Sequence, residues 1–366
     1  MTLSLESINK KVGHEIHLDN ISLEFETGYC NVLLGRTLAG KTSLIRIMAG
    51  LDRPTRGKIC IDGKDITGVS VRKRSVAMVY QQFINYPAFT VYKNIASPLK
   101  TCGTNKGEID RRVLETAEML HIEDLLDRMP SELSGGQQQR TAIARALVRK
   151  ADLLLMDEPL VNLDYKLREE LLVELNDIFK QRSAIVVYTT TEPTEALMLG
   201  GGVVVIDEGH VLQTGPTPEV YRNPATSKVA EVFSDPPINF LKGTVLAKSA
   251  RLGQDMRIPL NGHLSSLTDG DYTFGVRSNH LFLSRKDKQD IEIPAKVELT
   301  EINGSETFIH ANYDGSRLLV QEKGIRPVQI GVEISIYVNP SCFFVYDGKG
   351  SLVASPSREI FEERLE

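Results

Sequence analysis

The sequence predicts an α/β domain followed by a smaller all-β domain, and three observations carry that reading. From Leu3 to about Ser234, short β-rich apolar runs alternate with segments of helical period. One such run, Asn31-Val32-Leu33-Leu34, passes directly into Gly35-Arg36-Thr37-Leu38-Ala39-Gly40-Lys41-Thr42, a G-x-x-x-x-G-K-T loop with a helix expected near Ser43. Beyond Asp235-Pro236-Pro237 the helical pattern stops, and short strands separated by turn residues take over.

In the first domain, a charged helical stretch from Glu108 to Asp127 follows the glycine break at 103–107. Leu133-Ser134-Gly135-Gly136-Gln137-Gln138-Gln139-Arg140 makes a turn that opens a helix through Ile143, Ala144 and Leu147. Leu153-Leu154-Leu155-Met156 reads as a buried strand ending in Asp157-Glu158-Pro159. Between Tyr165 and Lys180, Leu167, Leu171, Leu172, Leu175, Ile178 and Phe179 recur at helical spacing. Residues 184–188 and 203–206 are continuous apolar runs, as strands buried on both faces are. Past residue 236, strands are expected over 272–276, 295–299, 307–311, 318–321, 334–338 and 342–346, a spacing that fits a small barrel or barrel pair.

The glycine loop carries the first chemistry. Its glycines let successive N–H groups turn inward at a helix N-terminus, where Lys41 can reach the β- and γ-phosphates of a nucleoside triphosphate and the Thr42 hydroxyl can ligate Mg²⁺. Paired acids at a strand end suit the same ligand: Asp157 would hold Mg²⁺, while Glu158 would orient and polarise an attacking water. The Ser-Gly-Gly turn, with its free N–H groups and the Ser134 hydroxyl, is a second anion cradle at a helix start. Taken alone it is an ordinary glycine turn. Beside the other two motifs it fits a head-to-tail dimer, each turn closing over the partner's γ-phosphate.

Composition bounds the remaining classes. The 366 residues are 41% hydrophobic and 25% charged, which is ordinary for a globular chain long enough for two cores. A formal charge of −5 and a pI near 5.9 argue against a nucleic-acid partner, which needs a basic face. No apolar stretch approaches the roughly 20 residues of a membrane-spanning helix, and the first residues lack the form of a signal peptide. Cys30, Cys60, Cys102 and Cys342 are scattered, without disulfide or zinc spacing, so reduced and mostly buried thiols are expected. A cytoplasmic location follows from these expectations.

With the phosphate loop, Leu-Ser-Gly-Gly-Gln and Asp-Glu strand in this order, the chain resembles the ATP-binding subunits of ABC transporters. The resemblance implies a P-loop ABC ATPase domain over 1–235, with a helical subdomain over about 82–150, that binds ATP and Mg²⁺. It gives Gln81, in Met78-Val79-Tyr80-Gln81, the role of sensing Mg²⁺ and coupling to membrane subunits. It makes Asn162-Leu163-Asp164 the loop that crosses the dimer interface. Through the signature, Ser134, Gly135, Gly136 and Gln137 would contact nucleotide on the partner. Gly35, Arg36, Thr37, Leu38, Ala39, Gly40, Lys41, Thr42 and Ser43 would contact it in cis. The set of Mg²⁺ ligands would be Thr42, Gln81 and Asp157.

Ile238-Asn239-Phe240-Leu241, Gly275-Val276-Arg277-Ser278-Asn279-His280-Leu281 and Gly304-Ser305-Glu306-Thr307 are similar to the C-terminal domain of the carbohydrate-importer branch. That implies a small all-β OB-type, transport-associated domain over 236–366, serving dimerisation or regulation. Within the branch, which includes maltose and glycerol-phosphate importers, the loop and the 190–196 stretch most resemble bacterial glycerol-importer subunits. The implied setting is peripheral, on the cytoplasmic face of the inner membrane. The implied partners are integral-membrane permease subunits, a second ATP-binding subunit and, indirectly, a periplasmic solute-binding protein. Soluble ABC ATPases of translation or DNA repair fit less well, since the chain has one phosphate loop and no heptad stretch.

Two positions depart from the family pattern. The histidine that bridges to the γ-phosphate is replaced by Thr191, and no histidine occurs between His121 and His210. A threonine hydroxyl is short, neutral and cannot become cationic. Val12, in Lys10-Lys11-Val12-Gly13, stands where an aromatic usually stacks on adenine; His14 and His17 lie nearby but out of register. Both losses touch one nucleotide, so the expectation is asymmetry. The chain would complete a competent site on a second, different ATPase subunit through its intact signature, while hydrolysing slowly at its own loop; a homodimer is the simpler variant.

Overall fold

The computed structural model describes residues 1–357 apart from Phe83, Asn162 and Asp255. The chain forms two compact units, Met1–Thr217 and Pro218–Glu366. The boundary at 235 read from Asp235-Pro236-Pro237 falls inside the second unit, and the last residues of the 236–366 span lie outside those described.

The first unit opens with a hairpin, β1 (Thr2–Val12) and β2 (Glu15–Glu26), followed by the short strand β3 (Cys30–Leu34). The phosphate loop leads into α1 (Lys41–Ala49), starting slightly earlier than Ser43, and β4 (Arg56–Ile61) and β5 (Lys64–Asp65) follow. After β6 (Val76–Val79) come α2 (Val91–Thr101), α3 (Lys106–Met119) and α4 (Gly135–Leu147). The rest alternates: β7 (Leu153–Asp157), α5 (Tyr165–Lys180), β8 (Ile185–Thr190), α6 (Pro193–Leu199), β9 (Gly202–Asp207) and β10 (His210–Pro216). The charged stretch expected to run from Glu108 to Asp127 ends as α-helix at Met119, and a 3₁₀ turn at Glu123–Leu125 completes it.

These strands make an antiparallel sheet ordered β2-β1-β4-β5 and a six-stranded sheet ordered β10-β9-β3-β8-β7-β6. In the second sheet only β10 runs antiparallel to its neighbour. Its strands β3, β7 and β8 are buried at every residue, the signature of a sheet covered on both faces. Helix α1 lies in a core shared by both sheets, where Leu44, Ile45, Ile47 and Met48 meet Leu3, Ile8, Leu33, Leu155 and Val187. Each such side chain contributes about 1.5–3 kcal/mol by leaving water.

The far end of α1 is fixed by Arg74. This side chain is 6% exposed and donates to Met48 O (2.8 Å), Ile66 O (2.6 Å) and Val69 O (3.0 Å). A cation at the helix C-terminus complements the macrodipole, and the same residue leads into β6 and so toward Gln81. Gly50, in the left-handed region at φ 77°, leaves the space: a Cβ there would lie 2.6 Å from Arg74 Nε.

The second unit holds α7 (Thr217–Arg222, from the last residue of the first unit) and α8 (Ser227–Val232). Next come β11 (Asn239–Leu246), β12 (Ser249–Leu252), β13 (Met256–Pro259), β14 (Gly270–Val276) and β15 (Leu281–Phe282). The unit ends with β16 (Ile291–Ile302), β17 (Glu306–Tyr313), β18 (Ser316–Lys323), β19 (Glu333–Val338), β20 (Phe344–Tyr346) and β21 (Leu352–Ala354). Two antiparallel sheets, β13-β12-β11-β14-β20-β21 and β15-β19-β16-β17-β18, enclose one core in a barrel-like arrangement. Asn239 ties them together, its amide donating to Leu319 O (2.9 Å) and accepting from Leu319 N–H (2.6 Å). Arg277, 4% exposed, donates to Phe233 O, Ser234 Oγ and Tyr221 O and lies 3.6 Å from the centre of the Tyr221 ring. Those bonds hold residues 221–234 on the β unit.

Replacing Arg74 with leucine strands three carbonyls and removes the cation from the end of α1. The first unit is expected to lose on the order of 3 kcal/mol, seen as a lower urea midpoint for that unit with the second unit's transition unchanged.

Candidate functional site

Parallel register brings three strand ends to one edge. Leu34 pairs with Thr190, and Asp157 pairs with Thr189, so the segments after β3, β7 and β8 start side by side. The loop after β3 is shaped by backbone approach. A Cβ at Gly35 would lie 2.3 Å from Ile206 O, and one at Gly40 (φ 104°) would lie 2.7 Å from His17 O. Neither position accepts a side chain. Leu38, at φ 69°, is 96% exposed at the loop tip. A non-glycine residue there costs about 1–2 kcal/mol, strain of a kind that clusters at functional loops. Gly40 precedes α1 without a side-chain cap, which leaves first-turn N–H groups for a ligand.

Lys41 is 3% exposed, and its ammonium is fully engaged. Nζ donates to Gly35 O (2.7 Å) and Arg36 O (2.9 Å) and pairs with Glu158 Oε1 at 3.0 Å. The other Glu158 oxygen accepts from Gln81 Nε2 at 3.2 Å. Glu158 itself has φ 43°, and its N–H donates to Thr189 Oγ1 at 2.9 Å. The Thr189 hydroxyl donates to Asp157 Oδ1 (3.0 Å), as does the Thr42 hydroxyl (3.2 Å). Burial pushes the Asp157 carboxyl above the usual carboxylate range, with the Thr189 and Thr42 hydrogen bonds working against that shift.

Lys41, Thr42, Gln81 and Glu158 line a cleft of about 720 Å³, with the buried Asp157 and Thr189 outside its lining, a size that suits a nucleotide. From the loop it takes Thr37, Leu38, Ala39, Gly40, Lys41, Thr42 and Ser43; from across it, Gln81, Glu158 and Thr191. Gly35 and Arg36 form the loop's base through the carbonyls that Lys41 binds. Thr191 is set by its neighbours: Glu192 N–H donates to Thr190 Oγ1 (2.9 Å), and Arg168 pairs with Glu192 at 3.4 Å. Beneath them the Tyr188 hydroxyl donates to Glu195 (2.9 Å), whose carboxyl is raised by burial.

Other expected site residues lie elsewhere in the protomer. Val12, about half exposed, ends β1 opposite Glu15 and does not line the cleft; Glu15, Ile16 and His17 do. Ser134, Gly135, Gly136 and Gln137 open α4 away from it. There the Ser134 hydroxyl accepts from Gln137 N–H (3.4 Å) and Gln137 Oε1 accepts from Ser134 N–H (3.0 Å), a reciprocal cap. Asp164 caps α5, accepting from Leu167 N–H at 3.0 Å. Asn162 of the same loop lies outside the described residues. Sequence reasoning missed Thr189, which supports both acids. Its only signal was a polar residue at the end of an apolar run.

The family model described as ABC transporter matches residues 18–161. The chain is 35% identical over 363 residues to the sn-glycerol-3-phosphate import ATP-binding protein UgpC of Chromohalobacter salexigens, covering 98% of this chain and 97% of that protein. It is 36% identical over 359 residues to the trehalose/maltose import ATP-binding protein MalK of Thermococcus litoralis, covering 94% and 96%. This chain belongs to the ABC transporter ATP-binding family. Among solved structures, cbiO1 from Clostridium perfringens, part of the cbiONQ transporter complex, superposes with TM-score 0.56 at 26% identity, over 60% of this chain and 90% of that one. A dimeric ATP-binding cassette in a post-hydrolysis state with ADP and phosphate bound gives TM-score 0.53 at 29% identity, over 59% and 98%. No helix among the described residues is long and apolar enough to cross a membrane.

Since the folded state raises the Asp157 pKa, its ionised form costs stability. That cost is absent below the unfolded carboxylate pKa and complete once pH exceeds the raised folded value. Asp157→Asn is therefore expected to stabilise the unliganded chain near neutral pH by about 0.5–2 kcal/mol, measured as a raised melting temperature that converges with wild type in acid.

Proposed function

We propose that this chain is the ATP-binding and ATP-hydrolysing subunit of an ABC importer that takes up a small polyol, carbohydrate or glycerol phosphate. One observation carries the reading: Lys41 and Thr42 at the start of α1 meet Glu158 in a single cleft, with Asp157 at the end of β7 bonded to Thr42 just beneath it. The relatives' names supply the solute class, and similarity over nearly the whole chain supports it.

The residues fit ATP and Mg²⁺. First-turn N–H groups of α1 and the Lys41 ammonium would receive the phosphates, and the Thr42 hydroxyl, Asp157 carboxylate and Gln81 amide oxygen would hold the ion. When bound, Mg²⁺ neutralises charge on the phosphate oxygens. Phosphate arriving at Lys41 would replace Gly35 O, Arg36 O and Glu158 as its partners. Released from Lys41 and Gln81, the Glu158 carboxylate would then be available to orient and polarise water. Ser134, Gly135 and Gly136 would close the site from a partner protomer, with Asp164 on the crossing loop.

Thr191 would reach the γ-phosphate side without a histidine's charge, so this chain's own site would turn over slowly. Pairing with a second, different ATPase subunit would leave its signature serving the faster site. Permease subunits would receive the motion near Gln81, a solute-binding protein would act through them, and the chain would lie peripherally on the cytoplasmic membrane face. The β-rich second unit would brace or regulate the dimer. A second reading, ATP binding with little hydrolysis, is favoured by the Thr191 substitution together with the engagement of Glu158 by both Lys41 and Gln81.

The test is ATPase rate for the chain alone, with a second ATP-binding subunit, and with permeases. Lys41→Ala is expected to abolish ATP binding, and Glu158→Gln to lower turnover while retaining it. A missing positioning contact costs on the order of 2–4 kcal/mol in the transition state. Thr191→His is thus expected to raise kcat in the assembled complex by about tenfold or more. Rapid turnover by the chain alone, indifferent to Thr191→Ala, contradicts the slow-site assignment. If Glu158→Gln leaves the complex's rate unchanged, the second reading holds.

A further inference from the structure

Strand alternation gives Thr189 its position. Leu153 and Leu155 of β7 and Ile185 and Val187 of β8 belong to the core that α1 enters. With side chains alternating between faces, Asp157 and Thr189 come next on that side of the sheet, paired to each other in the ladder. The same alternation would send Glu158 to the opposite face, away from Lys41. Its backbone is instead in the left-handed region at φ 43°, and its carboxylate reaches Lys41 Nζ at 3.0 Å. A glutamate in that conformation is strained and persists only where its surroundings hold it. Thr189, fully buried, supplies such a hold: its hydroxyl accepts from the Glu158 N–H at 2.9 Å and donates to Asp157 Oδ1 at 3.0 Å. We propose that Thr189 is a positioning residue for ATP hydrolysis, keeping Glu158 turned toward the cleft. The inference rests on the ATP-hydrolysing reading above.

A hydroxyl offers one proton and two lone pairs. The proton goes to Asp157, which fixes the rotation of the C–O bond and aims a lone pair at the Glu158 N–H. Each of the two bonds therefore supports the other. In the unliganded cleft the Glu158 side chain is also held by Lys41 and Gln81. Nucleotide would draw both of those partners away, whereas the Thr189 bond grips the backbone and is untouched by that exchange. The carboxylate would then be kept on the cleft side by the backbone turn, which Val161 N–H also closes on Glu158 O at 3.5 Å. Valine at 189 has nearly the same shape and suits a strand. It leaves the Glu158 N–H without its acceptor and Asp157 with one donor fewer. A carboxylate displaced by about 1 Å is enough to cost roughly 100-fold in rate. The phosphate-binding groups of α1 and its loop stay in place, so the loss falls on the chemical step and spares binding.

The experiment compares the full chain as wild type, Thr189→Val and Thr189→Ser, each also in a Glu158→Gln background. Single-turnover hydrolysis of ATP with Mg²⁺ and protein in excess reads the chemical step. Calorimetry with a non-hydrolysable ATP analogue reads binding, and hydrogen exchange at the Glu158 amide reads the bond itself. The valine variant is expected to hydrolyse about 10- to 100-fold more slowly, with analogue affinity within about twofold of wild type and faster exchange at residue 158. Serine keeps the hydroxyl and is expected to recover both the rate and the protection. Because Thr189 acts through Glu158, valine is expected to add nothing to the loss caused by Glu158→Gln. A valine variant that hydrolyses at the wild-type rate overturns the proposal while leaving the ATP site intact. So does one whose loss lies in analogue affinity, or multiplies that of Glu158→Gln. Wild type that binds the analogue but does not hydrolyse ATP upholds the second reading and overturns this inference. Absence of binding in wild type, or binding that survives Lys41→Ala, overturns the ATP-site reading itself.

Discussion

The arrangement of the site depends on β8 lying in parallel register between β3 and β7. That placement sets Leu34, Asp157 and Thr190 at one sheet edge, so three loops distant in sequence begin within reach of each other. The register is strongly specified, because β3, β7 and β8 are buried along their full length and a slip would move every side chain to the opposite face. Thr189 shows what that precision is used for. Paired with Asp157 in the ladder, its hydroxyl donates to the Asp157 carboxylate and accepts from the Glu158 amide. A single polar group inside an apolar sheet fixes both acids.

Around this frame the unliganded site is polar, largely buried and internally paired. Lys41 has three partners and Glu158 two cationic or amide donors, so neither is left as an isolated buried charge. Asp157 is held by the hydroxyls of Thr42 and Thr189, and burial still raises its pKa. The donors of α1 face the same way. An excess of donors beside an under-compensated carboxylate is the electrostatic complement of a polyanion carried with a divalent cation.

Much of this was legible in the sequence. The phosphate loop, the Asp157-Glu158 strand end and the Ser134 turn are local patterns whose residue types serve their own backbone. Continuous apolar runs identified β7, β8 and β9 for the same reason. Positions that depend on tertiary approach were harder. Register makes Thr189 a support for the acids, and the path of the β1–β2 hairpin decides that His17 lines the cleft while Val12 does not. The inclusion of residues 221–234 in the second unit involves long-range bonds, among them those of Arg277 to Tyr221 and Phe233. A Pro-Pro pair marks a bend in the chain, but only packing determines which core the preceding helices join.

Thr191 gains its meaning from what surrounds it. The loop carrying it is braced, with Thr190 bonded to Glu192, Arg168 paired to Glu192, and Tyr188 bonded to the buried Glu195. Arg168 begins one turn after Asp164 on α5, and its guanidinium also reaches Leu163 O at 3.5 Å. The loop expected to cross a dimer interface is thereby joined to the loop that ends at Thr191. On the proposed reading, Thr191 would withhold a histidine's charge from the γ-phosphate side without dismantling this connection. So built, the chain would still register closure of a partner's site while contributing little hydrolysis at its own, the combination that the proposed asymmetric pair would require.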